Sequence, residues 1–163
     1  MKYLIILLFL ISHKAHSQNS NWVLGGSLGF GFGKITVVEV SPRIGYRLTP
    51  NLTAGLGIGY RYYNNQNYSP ALTQNIYSGL AYANYQFLQN LYAHSEFDIT
   101  SYKTNNNSSR ISTPGLLTGA GYILGVGSTV QFTIEALYDL LYDKQKSYRS
   151  NPWVVRGGIR VNF

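Results

Sequence analysis

The sequence contains no cysteine, which excludes disulfide scaffolds, thiolate nucleophiles and Cys-ligated metals. Charge is scarce too: Asp, Glu, Lys and Arg make up 12% of its 163 residues, about half the share of an ordinary soluble domain. Only six residues are acidic, and beyond residue 17 the single histidine is His94. After the first few residues no apolar run is long enough to cross a bilayer as a helix, and no segment carries a helical stripe. What the chain has instead is aromatic residues at 15%, with 15 Tyr, together with 17 Gly and a net charge of +7. Whether that basic balance points to nucleic acid depends on where the charges lie.

The chain opens with Lys2, an apolar run over residues 3–11 and a small-residue site, Ala15-His16-Ser17, before Gln18. This is the pattern of a cleaved secretory signal peptide. Residues 1–17 are therefore set apart from the domain at 18–163. Removing Lys2 and Lys14 lowers the net charge to +5, and export makes nuclear and ribosomal roles untenable.

From residue 22 onward the sequence alternates with period two, the signature of strands with two unlike faces. In the first run, 22–32, Trp22, Leu24, Leu28, Phe30 and Phe32 share one parity, while Gly25, Ser27, Gly29 and Gly31 share the other. Further runs lie at 35–48, 52–63, 75–87, 91–102, 113–124, 129–142 and 153–163, giving eight strands. Tight turns at Thr49-Pro50-Asn51, Leu88-Gln89-Asn90 and residues 125–128 alternate with polar loops at 64–74, 103–111 and 143–151. The sequence thus predicts an all-β fold, an eight-stranded antiparallel up-and-down β-barrel.

A soluble barrel would turn the apolar parity inward and a transmembrane barrel would turn it toward lipid. The polar parity of the first run is mostly Gly and Ser, which suits a crowded interior. Aromatic residues gather at both strand ends: Trp22, Tyr46, Tyr85, Phe87, Tyr122 and Phe163 at one, Phe30, Phe32, Tyr60, Tyr62, Tyr138, Tyr142 and Trp153 at the other. Two aromatic girdles fit two membrane interfaces. Facing the other way, Glu39, Arg43 and Arg47 would meet lipid together, at roughly 2–4 kcal/mol for each arginine near the midplane. The expected barrel is transmembrane.

With its strand–turn–strand "SPRIGYRLTPNLTAGLGIGY" (41–60), the sequence resembles the small outer-membrane β-barrel proteins of bacteria, the OmpA/OmpX-like group. It is particularly similar to the outer-membrane barrel domains common in Bacteroidota. The likeness extends over nearly all of 18–163, and the closing "RGGIRVNF" is its most specific piece. The assembly signal of that class resembles polar-x-Gly-x-x-apolar-x-aromatic, places taken here by Arg156, Gly158, Val161 and Phe163. The resemblance implies recognition by the outer-membrane assembly machinery and residence in the bacterial outer membrane. One departure is the first outer loop, nearly missing around Gly33-Lys34.

On this reading five acids (Glu39, Glu96, Asp98, Glu135, Asp139) and five bases (Arg43, Arg47, Arg61, Arg156, Arg160) point inward. A turn centred on Pro50 sets Glu39 opposite Arg61. Pairing Tyr142 with Trp153 sets Asp139 opposite Arg156 and Glu135 opposite Arg160. Facing opposite charges stabilise a ladder by about 0.2–1 kcal/mol per pair, so the expected lumen is a neutral ionic plug. The outer loops carry the remaining bases, Lys34, Lys103, Arg110, Lys144, Lys146 and Arg149, against one acid, Asp143. A basic rim of this kind suits lipopolysaccharide phosphates and, facing the cell exterior, not nucleic acid.

Catalytic chemistry is hard to find. In "AHSEF" (93–97) His94 and Ser95 point to opposite faces of a strand, so they cannot form a nucleophile–base pair. His94 beside Glu96 and Asp98 reads as a satisfied interior group, and the glycine-rich start precedes no helix that would cradle phosphate. The expectation is a non-enzymatic monomer without cofactors, in contact with outer-membrane lipid and lipopolysaccharide. A narrow porin-like channel is the first alternative and a lipid-A-modifying barrel enzyme the second.

Overall fold

The computed structural model describes residues 21–31, 33–67, 69, 71–103, 109–126, 129–145, 147, 149 and 151–162. The predicted signal peptide lies outside them. The strands are β1 (Trp22–Gly31), β2 (Ile35–Thr49), β3 (Leu52–Asn65), β4 (Leu72–Gln86), β5 (Leu91–Lys103), β6 (Arg110–Val126), β7 (Val130–Asp139) and β8 (Trp153–Asn162). Each pairs antiparallel with the next, and β8 returns to β1 to close an eight-stranded barrel.

Turn chemistry explains the short connections. Gly33 adopts φ +129° between β1 and β2, a conformation open to glycine and costly for side-chain-bearing residues. Pro50 and Asn51 join β2 to β3, where the Thr49 hydroxyl accepts the Leu52 N–H at 3.0 Å. At the opposite end β4 starts at Leu72 rather than 75, and β6 begins at Arg110 rather than 113. These hairpins rise beyond the roughly 9–11 residues that a tilted strand needs to span a membrane.

One boundary differs in the other direction. β7 ends at Asp139, not at residue 142, and Tyr138 faces Trp153. The reason is Asp139 itself: its Oδ1 accepts the backbone N–H groups of Leu116 and Leu141, both at 3.1 Å. A carboxylate that takes up the ladder's donors ends the ladder, and the chain leaves as the loop 140–152.

The outward parity is predominantly apolar, with Leu56 63% exposed, Ile58 68% and Val155 75%. A soluble monomer leaves contiguous apolar patches of only a few hundred Å²; a whole barrel wall of them is the surface of a transmembrane barrel. Aromatic rings flank it: Trp22, Tyr46, Tyr85, Phe87 and Tyr122 toward the short turns, Phe30, Tyr60, Tyr77, Tyr138 and Trp153 toward the long loops. Trp22 meets Tyr46 edge-on at 5.2 Å, and Tyr138 meets Trp153 at 5.1 Å. Tyr62 and Tyr142, predicted for the second girdle, are only half-exposed, and Phe32 and Phe163 lie outside the described residues.

The interior is filled by pairing large side chains with glycines. A Cβ at Gly121 would collide with the Tyr92 ring, and one at Gly55 with the Tyr82 ring. Leu117 and Leu137 are fully buried, and Ile76 and Leu80 nearly so. Leu80 and Leu137 sit on the parity of their strands' polar residues and Leu117 on a glycine-rich one, so the lumen holds an apolar layer beside its ionic one.

Candidate functional site

The charged cluster is assembled from inward positions on four strands. Glu96 and His94 come from β5, Glu135 from β7, Arg156 from β8 and Arg43 from β2. Glu96 is the hub: Arg156 Nη2 and Nη1 donate to its two oxygens at 2.7 and 3.2 Å, and Arg43 Nη2 lies 2.7 Å from Oε2. The second carboxylate, Glu135, accepts from Arg156 Nε at 2.5 Å and from the Tyr92 hydroxyl at 2.7 Å. Its Oε2 is also 3.9 Å from Arg43 Nη1. Two acids and two arginines thus balance. Glu96 is 3% exposed and Glu135 6%, and burial at this depth requires such pairing.

His94, 1% exposed, closes the cluster. Its Nδ1 is 2.5 Å from Asn84 Oδ1 and its Nε2 is 3.2 Å from Glu96 Oε2. Tyr82 stacks on the imidazole at 6.1 Å between centroids and carries Arg43 over its ring at 5.6 Å. Ser95 is on the outer face, so no serine stands beside His94 from its own strand. Among the described residues no three metal-ligating side chains converge on a metal-sized site.

The structure places the predicted ion pairs as follows. Glu39 and Arg61 are direct register partners and form an ion pair, with Arg61 Nε donating to Glu39 Oε2 at 2.7 Å. The two pairs expected between β7 and β8 do not form. Glu135 faces Arg156 rather than Arg160, and Arg160 faces Gln131, to which its Nε donates at 3.1 Å. Asp139 binds Arg149 at 3.4 Å instead of Arg156. The shift follows from the early end of β7, which puts Tyr138 where Tyr142 was expected.

Arg149 is likewise a correction. Predicted for the outer rim, it folds into the mouth of the barrel, its side chain 13% exposed, because the buried Asp139 carboxylate needs a cation. Lys34, Lys103, Arg110 and Lys144 are exposed at the long-loop end. Of these Arg110 is anchored, donating to the carbonyls of Asn75 and Ser101 and lying over the Tyr77 ring at 4.8 Å. Lys146 is outside the described residues. In the predicted assembly signal, Arg156 points into the lumen, Gly158 packs against Gly26 and Val161 pairs with Val130 and Leu24.

Arg43, Tyr82, Asn84 and Tyr92 were not singled out as site residues from the sequence. Their inward parity was readable, but Arg43 reaches Glu96 and Tyr92 reaches Glu135 between strands that are not neighbours, while Asn84 is the register partner of His94 on the adjacent strand. Toward the short turns a cavity of about 40 Å³ is lined by Arg43, Tyr82, Tyr92, Glu135 and Arg160, room for a water or two.

No protein-family model matches the sequence, and no curated protein matches it. Solved structures do resemble it. The N-terminal β-barrel domain of Pseudomonas aeruginosa OprF is 17% identical, matching 90% of this chain and 100% of that domain at a TM-score of 0.54. Neisserial surface protein A is 22% identical over 90% of this chain and 100% of its own, at 0.48. A de novo designed transmembrane β-barrel is 15% identical over 89% and 97%, at 0.47. At these identities the likeness is one of fold: the chain is similar to eight-stranded membrane barrels.

Proposed function

We propose that this chain is a non-enzymatic integral protein of a bacterial outer membrane, acting as a monomer with a plugged lumen. Its role is structural and interactive: it stabilises the outer leaflet and presents its loops there. The observation that carries this reading is the neutral cluster Arg43–Glu96–Arg156–Glu135, which ties β2, β5, β7 and β8 together across the lumen inside an apolar wall. A conducting pore keeps its charges hydrated and apart; here they neutralise one another out of water. The exposed Lys34, Lys103, Arg110 and Lys144 form a basic edge suited to lipopolysaccharide phosphates, and Lys and Arg clusters bind such groups.

The reading is tested by fractionation, by the heat-dependent gel mobility that folded membrane barrels show, and by single-channel recording. Outer-membrane residence with a quiet bilayer is expected; sustained conductance steps would replace the plug with a narrow channel. Neutralising Lys34, Lys103 and Lys144 together is expected to weaken binding to lipopolysaccharide vesicles, and unchanged binding would remove lipopolysaccharide contact from the role.

A further inference from the structure

The barrel's closing seam is incomplete at its upper end. β1 pairs with β2 as far as Gly31, but among the described residues its ladder with β8 stops at Leu28↔Gly157. Residues 153–156 of β8 are laddered on β7 only. The neighbouring glycines show the same parting. The Cβ position of Gly25 is within reach of Ile159 O and Arg160 Cα of β8, whereas around that of Gly29 no β8 atom lies within 4 Å.

Behind this parting lies a cavity of about 490 Å³ at the long-loop mouth, within the roughly 300–1,000 Å³ of small-molecule sites. Its wall is two-sided. Arg61, Gln74, Gln145, Ser147, Arg149 and Asn151 supply polar groups, and Leu72, Ile76, Val154 and Val155 supply apolar ones. Among the described residues no carboxylate lines it; Glu39 and Asp139, which hold the two arginines, are not part of the wall. Most telling are Trp153 and Val155. Both point outward, 64% and 75% exposed, yet both line this cavity. The space therefore reaches from the lumen mouth to the outward-facing residues of β8 that border the seam.

From this geometry we infer that the vestibule binds a fatty-acid-like carboxylate that arrives sideways from the membrane through the β1–β8 seam. The carboxylate shares the Arg61 and Arg149 guanidiniums with Glu39 and Asp139 and accepts from the neutral amides of the wall. The chain lies along Leu72, Ile76, Val155 and Trp153. An open strand edge in hydrocarbon leaves backbone donors and acceptors unsatisfied at several kcal/mol each; at residues 153–156 a polar headgroup or interfacial water meets that need. The cavity has room for one acyl chain and not for a two-chain lipid. This inference rests on the membrane placement proposed above, and the experiment separates the two.

The protein, reconstituted in phosphatidylcholine vesicles, is labelled with a fatty acid carrying a photoreactive diazirine near its tail, and adducts are mapped by mass spectrometry. Adducts on the belt residues Leu24, Leu56 and Ile58 report membrane placement alone; their failure to appear overturns that placement. The inference further expects adducts at Leu72, Ile76 and Trp153, suppressed by palmitate and not by methyl palmitate. Arg61→Gln with Arg149→Gln is expected to lower vestibule labelling about tenfold, the equivalent of one charge-assisted hydrogen bond, with belt labelling unchanged. Stapling Phe30→Cys to Val155→Cys with a short thiol-reactive linker is expected to abolish vestibule labelling. Belt labelling without vestibule adducts, competition by the ester, or undiminished labelling of the stapled protein would each overturn the inference.

Discussion

Glu96 and Arg156 stand on strands that do not touch, β5 and β8, yet they share two hydrogen bonds at 2.7 and 3.2 Å across the lumen. Their pairing is a strut inside the barrel rather than a rung of its ladder. Removing one partner leaves the other charge buried, which costs about 3–5 kcal/mol. Glu96→Gln leaves Arg43 and Arg156 with Glu135 alone, whereas Glu96→Gln combined with Arg156→Gln restores neutrality. The double variant is expected to lose about 1–3 kcal/mol less than the two single losses combined. Reversible urea unfolding in lipid vesicles measures this, and strict additivity would show that the strut carries no coupling.

The interior glycines give a second test. The Tyr92 ring lies where a Cβ on Gly121 would be, and its hydroxyl is committed to Glu135, so the ring cannot swing away freely. Gly121→Ala is expected to cost about 1–3 kcal/mol through overpacking. Gly125, on the same strand and parity, has nothing within 4 Å of its Cβ position, so Gly125→Ala should stay within about 0.5 kcal/mol of wild type. Equal effects at the two sites in the same unfolding assay would contradict the packing described.

Much of this architecture was legible in the sequence, and the reason is local. A strand with one buried face fixes its own parity, so "LYAHSEFDI" (91–99) tells which residues face the lumen before any partner is known. Glu39 and Arg61 were readable as partners because the turn at 49–51 is short; the strands close as Thr49↔Leu52, and a bulge between Arg47 and Thr49 gives the register that was expected, with Glu39 opposite Arg61. The β7–β8 register was not, because the loop 140–152 is too long to transmit it and Tyr138 and Tyr142 are equally plausible aromatic partners for Trp153. What broke the tie was Asp139 turning its carboxylate onto the Leu116 and Leu141 amides, a choice that side-chain alternation does not encode. The hub at Glu96 was illegible for another reason: its partners Arg43 and Arg156 reach it through barrel curvature, across strands that sequence order never makes adjacent.

The register can be tested directly, because the chain brings no cysteine of its own. Ala136 faces Val155; in the register first expected from the sequence it would face Ile159. Ala136→Cys with Val155→Cys is expected to form a disulfide on mild oxidation, since directly opposed Cβ atoms sit about 4.5–5.5 Å apart and a small backbone shift brings them to the roughly 3.5–4.5 Å of a disulfide. Ala136→Cys with Ile159→Cys is expected to stay reduced. Thiol counting by mass spectrometry distinguishes them, and the reverse outcome would restore the other register.

Among the described residues, Asp139 latches the loop 140–152 through Arg149. Asp139 caps the end of β7 through its Oδ1 and holds Arg149 through its Oδ2 at 3.4 Å, while Lys144, in the same loop, is exposed. Trypsin added to the folded protein in vesicles should therefore cut after Lys144 and spare Arg149. Asp139→Asn keeps an acceptor oxygen for the two amides but removes the charge that draws the guanidinium inward. In that variant cleavage after Arg149 is expected to appear while the barrel keeps its folded gel mobility. Asp139→Ala, losing cap and latch together, should show the same cleavage with lower stability to urea, because the amides of Leu116 in β6 and Leu141 just past β7 lose their acceptor. Cleavage that is identical in all three proteins would mean that Arg149 is held by the loop's own packing, and that the Asp139 carboxylate only caps the strand.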